Sequence, residues 1–400
     1  MKEVVIVESV RTAIGKLGGS LMTQTADYLG ATVIKELLTR TQLDPNEVDE
    51  VILGQAKQSA DQSNVARLAS LRADIPLEVP GYTVHRQCGS GLQSINNAAQ
   101  QIALGLSEVI IAGGTESMST APYYIRNARY GLNVGNSQIL DPNTESQPGS
   151  QPESYGLKTM GETAENLAEK YSISREAQDA FAYQSQLRTE NAMKNGYFDK
   201  QIVPYEIKTR KTTEVFKVDE HPRLTPVEKL ATLKPVFREG GTVTAANASG
   251  RNDGAAALLI MSKEKAEQLG LQPKVKIIAQ AAAGVDPSIM GIGPVPATRK
   301  ALKQVGLSIE DIDVIELNEA FASQSLAVIE ELGLDQRKVN PNGGAIAMGH
   351  PIGATGAILM TKLIHELERT GKRYGLVTLC IAGGLGITTI VENCQSLLKK

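Results

Sequence analysis

Four hundred residues, 42% of them hydrophobic, are too many for one ordinary core and imply two or three globular domains. A net charge of −3 excludes the basic footprint of a nucleic-acid binder or of a protein held to an anionic membrane. Three cysteines, an odd and sparse set, exclude a disulfide framework and point to a reducing, cytoplasmic compartment, and apolar runs such as 255–261 are far too short to span a bilayer.

The chain opens on a strand over 4–7, with no apolar or basic leader before it. An amphipathic helix is predicted over 27–40 and a strand over 50–53. An extended stretch, 79–84, leads into Thr-Val-His-Arg-Gln-Cys-Gly-Ser-Gly-Leu-Gln-Ser-Ile at 83–95, and a helix over 92–106 carries Leu92, Ile95, Ala99 and Ile102 on one face. A strand over 108–112 follows. Residues 133–154, rich in Asn, Ser, Gln, Pro and Gly, read as loop, and helices follow over 161–170 and 174–194. The stretch 205–234 carries Lys208, Arg210, Lys211, Lys217, Arg223, Lys229 and Lys234, which fits either a solvated surface or a landing site for a polyphosphate. Strands over 275–279, 314–317 and 374–382 then alternate with helices over 297–305, 319–332 and 354–369. This alternation, with 37 glycines and 4% aromatics, predicts an α/β protein with mostly parallel sheets.

The chain reads as a duplication. Leu43 to Ile52 resembles Leu307 to Glu316, each after an amphipathic helix. Each half then has a Gly-rich strand-to-helix turn, holding Cys88 in one and His350 in the other. Each also has a strand ending in Ile-Ala-Gly-Gly, at 111–114 and 381–384. The order is the same in both, so Cys88 and His350 occupy equivalent positions and are placed to face each other across a pseudo-twofold axis.

Four segments combine such turns with reactive side chains: the one around Cys88, Leu317-Asn318-Glu319-Ala320-Phe321-Ala322, Asn342 to Gly356 with His350, and Leu379-Cys380-Ile381-Ala382-Gly383-Gly384. At the first, unpartnered helical N–H groups carry partial positive charge, which favours a thiolate, and the glycines let a substrate approach the backbone. All four fall at strand or helix termini, on one edge of the sheets. His85 and Cys88 have ligand-like spacing, but no second pair lies near them, so no metal is expected.

These four segments resemble the signature regions of the thiolase family, as do Thr244 to Gly250, Asn252 to Ala256 and Met290 to Pro294. The resemblance implies two duplicated βαβαβαββ halves in five layers, αβαβα. The halves are 1–268 and 269–400, with a loop domain over about 119–243 inserted in the first. It implies Cys88 as the nucleophile that takes an acyl group from a thioester, His350 as the acceptor of its proton, and Cys380 as the acid/base at the α-carbon. Asn318 would hold a water that, with His350, binds the thioester oxygen; the N–H groups of Cys88 and Ala382 would form a second oxyanion hole. Coenzyme A would meet Ser249, Ala245, Ala248 and, at its phosphate or adenine end, Arg223; Met160, Phe237, Met290 and Phe321 would line the pocket. The substrates would be coenzyme A thioesters, with no permanently bound cofactor and no membrane or nucleic-acid partner, in a homodimer or homotetramer.

His85 stands where that family commonly has Asn, Ala382 where it has Gly, Leu385 where it has Gln, and Arg251 where an apolar residue is usual. The segment 155–161 lacks a histidine that short-chain biosynthetic members often carry just before Met-Gly. No role is assigned to Cys394, and His221 and His365 read as surface or helix-face residues. The expected activity is acetyl-CoA C-acetyltransferase. The alternatives are a longer-chain 3-ketoacyl-CoA thiolase, a ketoacyl synthase on the same fold, against which Cys380 speaks, and a non-catalytic acyl-CoA-binding relative.

Overall fold

The computed structural model describes residues 1–208 and 211–397, so Arg210 lies outside the described residues. Nine strands carry the architecture: β1 (Val4–Thr12), β2 (Glu50–Gly54), β3 (Gly81–Val84), β4 (Val109–Ser117), β5 (Asn252–Ser262), β6 (Val275–Gly284), β7 (Val314–Leu317), β8 (Tyr374–Ile381) and β9 (Leu385–Asn393). They run in the order β7-β8-β9-β6-β1-β5-β4-β2-β3. Each half therefore repeats one arrangement, first strand, last strand, then the inner pair: β1-β5-β4-β2 and β6-β9-β8-β7. The two halves meet edge to edge where Val5 and Ile6 of β1 pair with Lys276 and Val275 of β6.

The sheet is mixed, which corrects the expectation of mostly parallel strands. β2 is parallel to β3 and β4, and β7 to β8, but β5 and β9 run antiparallel to both of their neighbours. The cause is visible at β8 and β9, which are joined through residues 382–384 alone. So short a turn cannot hold the crossover that a parallel pair needs.

Eight helices complete the layers: α1 (Ala26–Thr41), α2 (Val65–Arg72), α3 (Ser90–Leu104), α4 (Met160–Lys170), α5 (Arg175–Lys194), α6 (Pro294–Val305), α7 (Ala322–Leu332) and α8 (Thr355–Thr370). Strand periodicity decides which helix each residue meets. In β2, Val51 and Leu53 join the core under α1 and α2, whereas Ile52 joins the core around α3 and α8. In β8, Leu376 faces the α6/α7 core, while Val377 and Leu379 face α3 and α8. The result is α/β/α/β/α, with α3 and α8 in the middle touching each other and strands of both halves.

This central position explains why α8 is buried almost all round, Leu363, Ile364 and Leu367 included. Each such side chain contributes about 2 kcal/mol of hydrophobic stabilisation. The one cation within its buried stretch, Lys362, reaches Glu316 on β7 at 2.7 Å and the Gly343 carbonyl at 2.6 Å.

Between β4 and β5 lies the inserted stretch with α4, α5 and a hairpin pairing Tyr205–Lys208 with Thr213–Phe216. Lys208, Lys211, Lys217, Arg223, Lys229 and Lys234 are all exposed.

Candidate active site

The chain leaves β3 and turns sharply before α3. Gln87 takes φ +43°, a left-handed conformation unusual for a residue with a side chain. The turn is tied by Ser90, whose Oγ accepts the Arg86 N–H at 2.9 Å and donates to the Gln87 carbonyl at 2.6 Å. Gly89 gives the Ile381 side chain room, since a Cβ there would lie 2.5 Å from its Cδ1. Cys88, half-buried at this turn, receives the Ala382 N–H on its sulfur. Burial nevertheless pushes its thiol up to about 11, against the opposing pull of that N–H and of Lys57. Burial thus opposes the thiolate that the helix terminus and the Ala382 N–H favour.

His350 follows Gly349, whose φ of +103° and close approach to Asn252 leave no room for a side chain. Asn252 Oδ1 accepts the His350 backbone N–H at 2.9 Å. The imidazole Nδ1 lies 2.7 Å from Thr355 Oγ1, and that hydroxyl donates its proton to the Pro351 carbonyl at 2.9 Å. With that donation in place Thr355 accepts from Nδ1–H, and the Nε2 lone pair is free to act as a base. Nε2 is buried and has no hydrogen-bond partner among the described residues. Burial, with Lys57 nearby, lowers the imidazole to about 4, so it is neutral.

Cys380 is the last residue but one of β8, opposite Gly386, and is 1% exposed. Desolvation first, and the neighbouring Cys88 second, hold its thiol far above the ordinary range. Ala382 keeps out of the left-handed region, which Gly383 (φ +89°) and Gly384 (φ +81°) occupy in its place, so an alanine is tolerated here. Asn318 donates its backbone N–H to the Thr378 carbonyl, and its fully buried side chain has no hydrogen-bond partner among the described residues on either polar atom. Its neighbours Ala320 and Phe321 line the cavity, whereas Asn318 is not among the lining residues.

Cys88, His350, Cys380 and Ala382 line one cavity of roughly 160 Å³. Six of the eight expected binding residues line it too: Met160, Phe237, Ala248, Ser249, Met290 and Phe321. Phe237 meets Phe321 edge to face at 6.1 Å, a position open to it because residue 161 is Gly. Ser249 is tied to the start of α7 by its N–H to the Ala320 carbonyl. The other two, Arg223 and Ala245, line a larger outer cavity of roughly 560 Å³, and Arg251 belongs to both walls.

Sequence reasoning missed several contributors. Lys57 lines the inner cavity, and its signal was a lone cation in Gly54-Gln55-Ala56-Lys57, directly after a buried strand. Glu116, buried at the end of β4, accepts the N–H groups of Ala56, Lys57 and Gly353 at 2.9, 3.1 and 2.8 Å and so ties the Lys57 loop to the His350 loop. The two histidines read as surface or helix-face residues are both half-buried, and His365 lies on α8. His365 is half-buried against the Ser9 carbonyl and lowered by burial to about 4, while His221 lines the outer cavity. Among the described residues no group of three or more His, Cys, Asp or Glu is placed to hold a metal.

The family model "Thiolase, N-terminal domain" matches residues 4–264, and "Thiolase, C-terminal domain" matches residues 271–393. The acetyl-CoA acetyltransferase of Pseudomonas aeruginosa is 51% identical over 97% of this chain and 98% of its own. That of Syntrophomonas wolfei is 47% identical over 98% and 99%. The crystal structure of the Bacillus anthracis acetyl-CoA acetyltransferase superposes with a TM-score of 0.96 at 50% identity, covering 98% of this chain and 99% of that one. Human mitochondrial 3-ketoacyl-CoA thiolase in complex with CoA superposes with a TM-score of 0.93 at 44% identity, covering 98% of each.

Proposed function

Because the chain belongs to the thiolase family of acyltransferases, we propose that it is an acetyl-CoA C-acetyltransferase, interconverting two acetyl-CoA with acetoacetyl-CoA and CoA through an acyl-cysteine. The observation that carries this reading is the convergence of two thiols, a neutral imidazole with a free Nε2 and the Ala382 N–H on one small cavity.

In the thiolysis direction His350 Nε2 takes the Cys88 proton as the sulfur attacks the 3-oxo carbon. The oxyanion formed there is met by the N–H groups of Cys88 and Ala382. Cleavage leaves the acetyl-CoA enolate, whose oxygen is met by His350 and by a water on Asn318; the unpartnered side-chain amide of Asn318 supports that role. Cys380 gives the enolate its proton, a task suited to a thiol held protonated by its surroundings. A second CoA thiol then releases the acyl group. Condensation runs through the same states in reverse.

Coenzyme A would run from the outer cavity, with Arg223 at its phosphate or adenine end, past Ala245, Ala248 and Ser249, supported by the wall residue Arg251 that the two cavities share. Met160, Phe237, Met290 and Phe321 would hold the reacting end. Met118, Met160, Met290 and Phe321 make the wall near the two thiols apolar, which suits an acyl chain. The steps above use only side chains, backbone amides and water.

The same proposal divides the chain after residue 268, with the loop domain over about 119–243 inserted in the first half; the interval between the two family matches, 264 to 271, supports it. Homodimer or homotetramer formation is supported by an exposed apolar arm with Tyr130, Leu132, Val134 and Ile139. A cytoplasmic location is supported by three free cysteines, two of which the chemistry needs reduced.

The test is Cys88→Ser. Thiolysis of acetoacetyl-CoA should fall by about a thousandfold or more, and the acyl adduct on residue 88 should vanish from the mass spectrum. Substantial turnover in that variant refutes the reading. A kcat/KM for a C8 3-ketoacyl-CoA above that for acetoacetyl-CoA would favour the longer-chain alternative.

A further inference from the structure

Another cavity, of roughly 730 Å³, shares no wall residue with the catalytic cavity or with the outer one. It is built where the two halves meet. Glu8 comes from β1 and Arg40 from the end of α1, whereas Lys274 directly precedes β6 and His365, Glu368 and Arg369 stand near the end of α8. Tyr197 and Lys200 reach it from the insertion, just after α5.

Four cations and two carboxylates form its wall. Both carboxylates are taken by one cation, since Lys274 Nζ lies 3.1 Å from Glu8 and 3.3 Å from Glu368. Arg40 and Arg369 are braced by carboxylates outside the wall. Arg40 Nε donates to Glu36 at 2.7 Å, and Arg369 donates to Glu366 through Nε and Nη2 at 2.9 and 2.7 Å. Arg369 also lies over the Tyr197 ring at 4.1 Å. These contacts fix both guanidinium groups and leave Nη2 of Arg40 and Nη1 of Arg369 without a partner among the described residues. Lys200 is exposed; its carbonyl accepts Arg40 Nη1 at 2.5 Å, while its ammonium is unpaired among the described residues. His365 feels the surrounding charge: burial first and Lys274 next keep it neutral, with Arg40 adding to them against the Ser9 carbonyl and Glu8. Planar guanidinium forks suit phosphate oxygens, and like charges gathered on one cavity repel until an anion enters it. The steps of the proposed reaction use none of these residues.

We propose that this cavity binds a small polyphosphate anion, held by Arg40 and Lys200 of the first half and Arg369 of the second. The site is separate from the reaction and does not rest on the thiolase reading. Its ligand bridges the two halves, so occupancy also stabilises the fold.

The experiment is isothermal titration of the full chain with sodium tripolyphosphate at pH 7.5 and about 150 mM NaCl, without and with CoA at saturation. One site with a Kd of about 100 µM is expected in both conditions. Lys200→Glu costs the fold no contact and should weaken binding at least about tenfold. Lys303→Glu makes the same charge change on the exposed face of α6, away from the cavity, and should leave Kd within about twofold. ATP in place of tripolyphosphate separates two sources of the same chemistry. Equal affinity supports recognition of the phosphate chain alone, and at least about tenfold tighter ATP supports a nucleotide. A Kd above about 1 mM for both ligands overturns the inference. So does Lys200→Glu weakening binding no more than Lys303→Glu, because net charge alone then accounts for it. Loss of the site on adding CoA overturns it as well, because the anion then sits in the outer cavity.

Discussion

The Thr355 hydroxyl lies within hydrogen-bond reach of both His350 Nδ1 and the Pro351 carbonyl. It holds the ring through Nδ1 and leaves Nε2 without a partner among the described residues. Replacing Thr355 by Val removes the acceptor while keeping the shape, so the acylation rate in a single turnover should fall about ten- to a hundredfold, with KM changed less than about threefold. An unchanged acylation rate would mean that the ring is oriented by other contacts. The pH dependence has a definite sign. In the unfolded chain the imidazole protonates near 6.5, whereas in the fold it stays neutral to about 4. Stability from this residue is therefore complete above 6.5 and is lost as pH falls from 6.5 toward 4. The base function, in contrast, survives down to about 4. Acylation of Cys88 should keep its rate from pH 7 to pH 5, and an acid limb with its midpoint near 6.5 would contradict the burial of His350. Cys88, His350 and Cys380 were legible as a set because each sits in a Gly-rich turn at an element's end. Thr355 and Lys57 were not: one reads as an ordinary first-turn helix residue, the other as a surface lysine, and only the folded chain brings them to the cavity.

At the scale of elements, the catalytic turns are brought together by two helices that start against each other. A Cβ on Gly356 of α8 would lie 2.4 Å from the Leu92 nitrogen of α3, and one on Gly91 of α3 would lie 2.9 Å from the Gly353 carbonyl oxygen. Gly356→Ala must push the two helix starts apart, so it should cost about 2 kcal/mol or more in urea unfolding and lower kcat by more than tenfold. A variant as stable and active as the wild type would show that the crossing tolerates a wider spacing. The helices other than α2, and the strands β1, β2, β4, β6, β7 and β8, were legible from periodicity. β9 went unread and β5 was seen only as an apolar run. Its opening Asn-Asp-Gly-Ala-Ala-Ala has little strand propensity of its own and becomes a strand because both of its faces are covered. Strand direction was misjudged for a related reason: periodicity carries no direction, whereas the three-residue turn at 382–384 does.

Across the whole molecule, the doubled architecture is held by a few buried polar ties as well as by its cores. Lys362 joins the central helix α8 to β7 through Glu316, both fully enclosed. Lys362→Met should leave a lone buried carboxylate and cost about 3–5 kcal/mol, read as a shift of the urea midpoint. If the midpoint stays put, the carboxyl is neutral and the pair is not an ionic one. The exposed apolar arm makes its own prediction. Light scattering should give a mass two or four times 42.7 kDa, and serines at Tyr130 and Val134 should lower it. A monomer in the unaltered protein would leave that arm without an occupant. The duplication has one more consequence. The loop that enters a central helix carries a sulfur before α3 in one half and an imidazole before α8 in the other, the first reached from a strand and the second from the short helix Ala345–Met348. Neither loop can carry the proposed reaction alone, so each half constrains what the other may change.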